Sequence, residues 1–491
     1  MPPTTPSLFD IRDFGARGDG RTLDSDAVNA AIARAAATGG TVVVPAGRFL
    51  CFSIRLASGV TLLLSENAVI EAADPARHPG TYDLPEETDG ELYQDFGHSH
   101  WRNSLIWGIG LHDVAIIGPG RIEGTGLTRD GPGARWRRET GERPLSMAGM
   151  SAAEISALEP DADKMAGLGN KAIALKQCRR VTLSGFTIDK GGHFAVLATG
   201  VEDLLIERLT IDTGRDGIDL DCVRRARVRG CRVNTPNDDA IVLKSSHALG
   251  EAIDCADVVI EDCTVSGYDP GTMLDGSRGR TQKLAPDRDR VTGRIKLGTE
   301  SNGGFRDIVI RNCRFERSRG LAIETVDGGV IENVTVSGLR MEDVTTAPLF
   351  LRLGDRRRGP PGIGIGAIRG VRIEDVEATG IDPRFAATIA GLPDARIEDV
   401  TLRGIFLTYA GGGTVTGSTR HPPLLRDSYP EPSMFGVTPA WGLWVRHAIG
   451  VELRDVQLAT EIPDERPPTV TENGSVRWHA STLPPRSRIN L

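Results

Sequence analysis

The sequence predicts an all-β fold, a parallel β-helix, and three observations predict it. First, one short phrase recurs: apolar-x-apolar, two polar or small residues, then apolar-x-apolar. It reads VTLSGFTI from Val181, LLIERLTI from Leu204, ARVRGCRV from Ala226 and VVIEDCTV from Val258. It returns as IVIRNCRF from Ile308, VTVSGLRM from Val334, VRIEDVEA from Val371, VTLRGIFL from Val400 and VELRDVQL from Val451. The closest starts are about 22 to 26 residues apart, the length of one coil. Second, the alternation has period two, so these are strands with one buried face and not helices. An antiparallel sandwich would show paired turns instead of one recurrent phrase. Third, aromatics are scarce at 5% while glycine is abundant at 59 residues, a mix that suits strands and turns. A chain of 491 residues would ordinarily hold several domains. Solenoids break that rule because they grow by adding turns. We expect one domain over 1–491: a capping module at 8–70, coils over about 110–460 and a tail at 461–491.

The elements follow in order. In the capping module Asp24 or Ser25 starts a helix whose apolar face is Ala27, Ile32, Ala33 and Ala36. Gly39 and Gly40 stop it. Thr41–Val44 and Val60–Leu64 read as strands. A helix is expected there because the terminal coil must cover its open core. Within the coils, Cys231, Cys263 and Cys313 take the inward position that Phe186, Leu209 and Leu339 take elsewhere, so they read as small core side chains. Three stretches interrupt the coils. Residues 129–169 are polar and Arg/Glu-rich. Residues 267–291 carry Arg278, Arg280, Lys283, Arg288 and Arg290. Residues 408–442 and their flank hold Tyr409, Tyr429, Phe435, Trp441 and Trp444. Loops this long in a compact fold are expected to wall a cleft.

Several function classes are disfavoured. A formal net charge of −8 argues against nucleic acid as the partner. No stretch reaches 18 apolar residues, so no membrane span is expected. The N-terminus shows no basic region followed by an apolar run, and seven cysteines lack metal-like spacing. Both point to a reducing, cytoplasmic location, or to a periplasmic or secreted one if a leader has been removed. A monomer or small homo-oligomer is expected.

The chemistry concentrates between Asp212 and Ser245, in DTGRDGIDLDCVRRARVRGCRVNTPNDDAIVLKS. Ile211 is followed five residues later by Asp216, and Val233 five residues later by Asp238, with Asp239 next to it. One coil earlier, Ile188 is followed five residues later by His193. Stacked coils would bring His193, Asp216 and Asp238 to one place, because neighbouring strands lie about 4.8 Å apart. Carboxylates that close raise each other's pKa, so at least one can stay protonated near neutral pH. Acid/base hydrolysis of a glycoside needs that.

The order FGARGDG…VPAG, RDGID and NTPNDDAI resembles glycoside hydrolase family 28, the polygalacturonases, over nearly the whole chain. The resemblance implies a right-handed β-helix and an inverting hydrolase. It implies Asp238 as general acid, with Asp216 and Asp239 positioning and activating the water. Gly214 and Arg215 replace the first two residues of the family's N-T-D motif. Gly293 sits about where the G-H-G histidine should be, and Ala322 and Glu324 where the R-I-K cations should be. A literal Arg294-Ile295-Lys296 occurs one coil early. With Ile295 and Leu297 inward, Arg294 and Lys296 face the cleft. There they are expected to contact the substrate, as a grip on a uronate, with Glu324 in the same binding set; balancing the aspartates and Glu324 is the alternative. A carboxyl separation of about 6.5–9.5 Å is expected of an inverting pair.

Lys244 follows the D-D strand and is expected to reach the cleft, and His193 to bond a sugar hydroxyl. His98, His100, Trp101 and Trp107, in HSHWRNSLIWG, suit a sugar-binding wall. No metal and no cofactor are expected. The reading is an exo-acting glycosidase for pectin-derived or other uronate/rhamnose-containing oligosaccharides. A polysaccharide lyase on the same coil and a non-catalytic carbohydrate-binding β-helix stand as alternatives.

Overall fold

A computed structural model describes residues 7–87, 92–94, 96–128, 165–283, 290–479 and 489–490. Most of the 129–169 stretch, and Arg288, lie outside the described residues. The recurrent phrase forms the coils as expected. The earlier phrases make two short strands, such as Arg179–Ser184 and Thr187–Asp189, and the later ones run as one long strand, such as Val330–Val344. Each then turns into a further strand, such as Phe194–Thr199. Every strand pairs in parallel with its equivalent on the next coil, and the fold is a right-handed parallel β-helix. Left-handed bends recur at Arg180, Asp203, Arg225, Asp257, Asp307 and Asn333, where each coil enters its first strand. Asp and Asn tolerate that conformation better than most residues.

The core is a set of inward ladders. On the sheet that carries the site, Leu220 pairs with Leu243 and Leu243 with Leu297. Leu297 continues to Ile323 and Leu351. Cys231, Cys263 and Cys313 are buried and unpaired in the same core as Phe186, Leu209 and Leu339. The N-terminal module joins these ladders without a break. Gly40–Val44 pairs with Val60–Leu64, which pairs with His112–Ile117.

The capping helix runs Ser25–Ala36. Its buried face is Ala27, Val28, Ala31, Ile32 and Ala35, and Ala33 and Ala36 are exposed. Asp24 is the N-cap by position, yet its carboxylate accepts from the backbone of Arg17 and Gly18. An alanine-rich helix has little contrast between faces, so its sequence fixed the element and misplaced its face by about one residue. Tyr409, Trp441 and Trp444 also depart from expectation: all three are buried. The wall built by that loop comes from Tyr429 and Glu431. The 267–283 stretch is anchored on the coil of Asp212, whose carboxylate accepts from the backbone of Gly271, Met273 and Leu274.

Candidate active site

Asp216 opens the strand Asp216–Asp221, and Asp238 and Asp239 close the turn before Ile241–Ser245. Close stacking of these coils depends on Gly217. A Cβ there would lie 2.4 Å from Val233 and 2.5 Å from the Ala240 carbonyl. The second turn is fixed from inside. Thr235 Oγ1 and the Gly293 N–H both donate to the Asp238 carbonyl, at 2.9 and 3.0 Å. As a result one carboxyl oxygen from each of Asp216, Asp238 and Asp239 lies within 4.8 Å of the others. That is shorter than the 6.5–9.5 Å expected of an inverting pair. The coil repeat brings the groups to one inter-strand spacing, and Asp238 and Asp239 are sequence neighbours.

The environment separates the three acids. Burial pushes the Asp216 carboxyl well above its ordinary range, and the nearby Asp238 adds to this against Lys244. Its Oδ1 has no hydrogen-bond partner among the described residues. Asp239 instead meets cations. Arg294 Nε donates to its Oδ1 at 2.7 Å, and Lys296 Nζ lies 3.2 Å from its Oδ2. Asp238 forms an ion pair with Arg215 at 3.0 Å and is the most accessible of the three, 8% exposed against 3% for the others.

Ile295 and Leu297 do point inward, and Arg294 and Lys296 face outward as the alternation requires. Their charged ends are taken up by protein groups. Arg294 also donates both terminal nitrogens to Glu431, at 2.8 and 3.2 Å, and Lys296 donates to the Tyr429 hydroxyl at 3.2 Å. Burial opposes both charges, yet Glu431 and Asp239 for Arg294, and Asp239 for Lys296, outweigh it and hold both cations protonated. Glu324 lies behind Lys296 at 3.7 Å. Burial pushes its pKa up to about 7 against the pull of Lys296 and Arg294.

Lys244 belongs to a second ionic group. Its Nζ is 2.7 Å from Asp219, 3.8 Å from Glu300 and in contact with His98 Nε2. Burial opposes the Lys244 charge, and Asp219 and Asp216 overcome it. Glu300 is held well below its usual range: Lys244 and Arg356 outweigh burial. His193 stacks on Phe194 with ring centroids 4.4 Å apart. Burial and then Arg215 hold its pKa well below 6.5, so the imidazole is neutral. His98, Asp216 and Asp219 also bring ligand-type atoms within 4.8 Å of each other. Lys244, Lys296 and Arg294 already supply the positive charge that a metal would bring.

A family model described as rhamnogalacturonase A/epimerase, pectate lyase-like, matches residues 8–84. A probable polygalacturonase of Vitis vinifera is 24% identical over 427 residues, 81% of this chain and 74% of its own length. A hyperthermoactive exopolygalacturonase of Thermotoga maritima superposes with a TM-score of 0.61 at 22% identity, covering 83% of this chain and 88% of its own. A family 28 exopolygalacturonase of Yersinia enterocolitica gives a TM-score of 0.61 at 16% identity, over 97% and 78%. The chain is similar to polygalacturonases in sequence and shares the fold of exopolygalacturonases.

Its divergence has a structural basis. Gly293 has φ +54°, and a Cβ there would sit 2.2 Å from the Ser266 carbonyl oxygen. No histidine fits on this backbone. Lys296 and Ala322 are register partners on adjacent strands, so the cations stand one coil before the R-I-K position.

The wall expected from HSHWRNSLIWG is only partly present. Trp101 is fully buried among Phe194, Leu197 and Ala174, and its indole N–H donates to Thr199 at 3.1 Å. It packs beneath the site and cannot touch a sugar. Trp107 bonds Asp83 at 2.9 Å, and half-exposed His100 accepts from or donates to Ser99 at 3.3 Å. His98 of this stretch reaches the acidic group, 3.5 Å from Asp219. Sequence reasoning missed Asp219, Glu300, Arg319, Arg356 and Glu431. The first was readable, because the inward pair Ile218 and Leu220 turns Asp219 outward. The others come from distant segments, and no local pattern marks them.

Proposed function

We propose that the protein is a glycoside hydrolase of pectin-derived oligosaccharides, removing a uronate- or rhamnose-type sugar from a chain end. The observation that carries this reading is the Asp216, Asp238 and Asp239 cluster, with its protonated and ionised members kept apart by environment. Asp238, the most accessible, presents the proton to the glycosidic oxygen. Asp239, pinned by Arg294 and Lys296, holds and activates the water together with Asp216. The inverting course is what the family likeness implies. Exo action is supported by burial, because acids 3–8% exposed suit a chain end better than a continuous polymer.

The test is a panel of oligogalacturonides and aryl glycosides of galacturonate and rhamnose, run with and without excess chelator. Reducing sugar released by the wild type, and lost in Asp238→Asn, supports the reading. An unsaturated product whose formation stops with chelator would replace it with a lyase. Binding without release from any substrate would replace it with a carbohydrate-binding module. Proton NMR of the first-formed sugar tests inversion, and a retained anomer refutes it.

A further inference from the structure

We infer that Glu431 is a positioning residue for this hydrolysis: through Arg294 it sets how the Asp239 carboxylate is held beside Asp216 and Asp238. The inference rests on the hydrolase reading for its kinetic part. Glu431 is 137 residues from Arg294 in sequence and stands on the segment that leads into the short 3-10 helix Pro432–Phe435. That segment is fastened on both sides. Arg352 donates to the carbonyls of Leu424 and Leu425, at 2.8 and 2.9 Å. Met434 and Phe435 are buried with Phe350, Phe385 and Trp444, and Phe435 meets Trp444 edge-on at 5.0 Å. The segment is a strap with little freedom at the glutamate.

The geometry at Arg294 gives the strap its role. Both terminal nitrogens of the guanidinium donate to Glu431, and Nε donates to Asp239. Arg319 Nη1 donates to the same Glu431 at 2.7 Å and fixes the carboxylate from the other side. Nε of Arg294 reaches Asp239 Oδ1 while Lys296 lies on Oδ2. A guanidinium grips a lone carboxylate with two parallel bonds when nothing prevents it. Without Glu431, Arg294 would be free to turn its terminal nitrogens onto Asp239, compete with Lys296 for Oδ2 and shift the carboxylate beside Asp216 and Asp238. Tyr429, two residues before Glu431 on the strap, accepts from Lys296, the cation on the other Asp239 oxygen. One strap thus orients both cations.

The experiment compares wild type, Glu431→Gln and Glu431→Asp by steady-state kinetics and by crystal structures of the variants. In Glu431→Gln, kcat is expected to fall roughly 10- to 100-fold, the scale for misplacing a reacting group by about 1 Å. KM should stay within about twofold, because no substrate contact is lost. Glu431→Asp should recover part of kcat, and it serves as the test if Glu431→Gln does not fold. In the Glu431→Gln crystal Arg294 should meet Asp239 with two nitrogens. Unchanged kcat overturns the inference, and so does a raised KM at full kcat, which would make Glu431 a substrate contact. If the wild type releases no sugar, the hydrolase reading fails separately. The crystal structure then decides, and an unmoved Arg294 overturns the inference.

Discussion

Arg294→Ala should destabilise the fold far more than a substrate-binding residue would. The guanidinium is 1% exposed and bonds two carboxylates, Asp239 and Glu431, that are themselves nearly buried. Deleting it leaves two negative charges facing each other, with Lys296 and Arg319 as the remaining partners. Removing one member of a buried ion pair costs about 3–5 kcal/mol, because the other charge stays buried and uncompensated. Unfolding entropy near 60 °C is about 2.1 cal/mol/K per residue, so 491 residues give about 1 kcal/mol/K and Tm falls by about 3–5 °C. Differential scanning fluorimetry and urea midpoints measure this. The double variant Arg294→Ala/Glu431→Gln should regain part of the loss, since it removes one stranded charge. An unchanged Tm, with kcat/KM lost only for charged substrates and spared for their methyl esters, would refute the reasoning. It would show that Arg294 reads the uronate carboxylate and not its protein partners.

Three further outcomes follow from the same geometry. Asp238→Asn should keep the wild-type Tm and lose roughly 10²–10⁴-fold in kcat, the usual contribution of a general acid; wild-type rates would remove it from that role. Burial and Asp238 raise Asp216, so its proton is present at low pH and is lost as pH rises through the raised value. Asp216 helps to activate the water only as a carboxylate, so kcat should fall on the acid side of that raised value, and a profile flat from acid to alkaline pH would contradict this. Glu324 rises from 4.5 to about 7, so it favours folding below pH 4.5 and that contribution is lost between pH 4.5 and 7. At about 1.4 kcal/mol per pKa unit the loss is about 3 kcal/mol. Glu324→Gln should show a flatter urea midpoint over that range, and a wild-type slope in the variant would contradict the assignment.

The coil architecture was legible because a solenoid writes its period into the chain: the same inward positions recur, so one alternation is checked many times. The three aspartates were legible for the same reason. A five-residue offset from an inward Ile or Val marks Asp216 and Asp238, with Asp239 beside it, but the register is one residue off: Asp216 pairs with Phe194 and not with His193. Trp101 was misread because a tryptophan beside histidines carries the same letters whether it packs on Phe194 or faces a sugar. Glu431 and Arg319 were invisible for a different reason. They meet each other across 112 residues, and Glu431 reaches Arg294 across 137. Contacts between a strap and a coil have no period, and only the folded chain brings them together.

The missing R-I-K cations and the early Arg294 and Lys296 are best understood as one exchange. Glu324 puts an acid where the resemblance expects a cation, two coils from Asp239. A buried carboxylate there would be costly alone. Lys296, 3.7 Å away on the adjacent strand, offsets it, and the same ammonium lies 3.2 Å from Asp239. Moving the cations one coil toward the aspartates therefore satisfies Asp239 directly and leaves Glu324 on the shared edge of the same charge. The Gly293 backbone makes the arrangement hard to reverse. Its left-handed φ and the 2.2 Å approach to Ser266 exclude the family histidine, while its N–H fixes the Asp238 carbonyl. The turn that presents Asp238 and the coil that carries Arg294 and Lys296 are thus joined at one residue. A return to the family pattern at either motif would disturb the other.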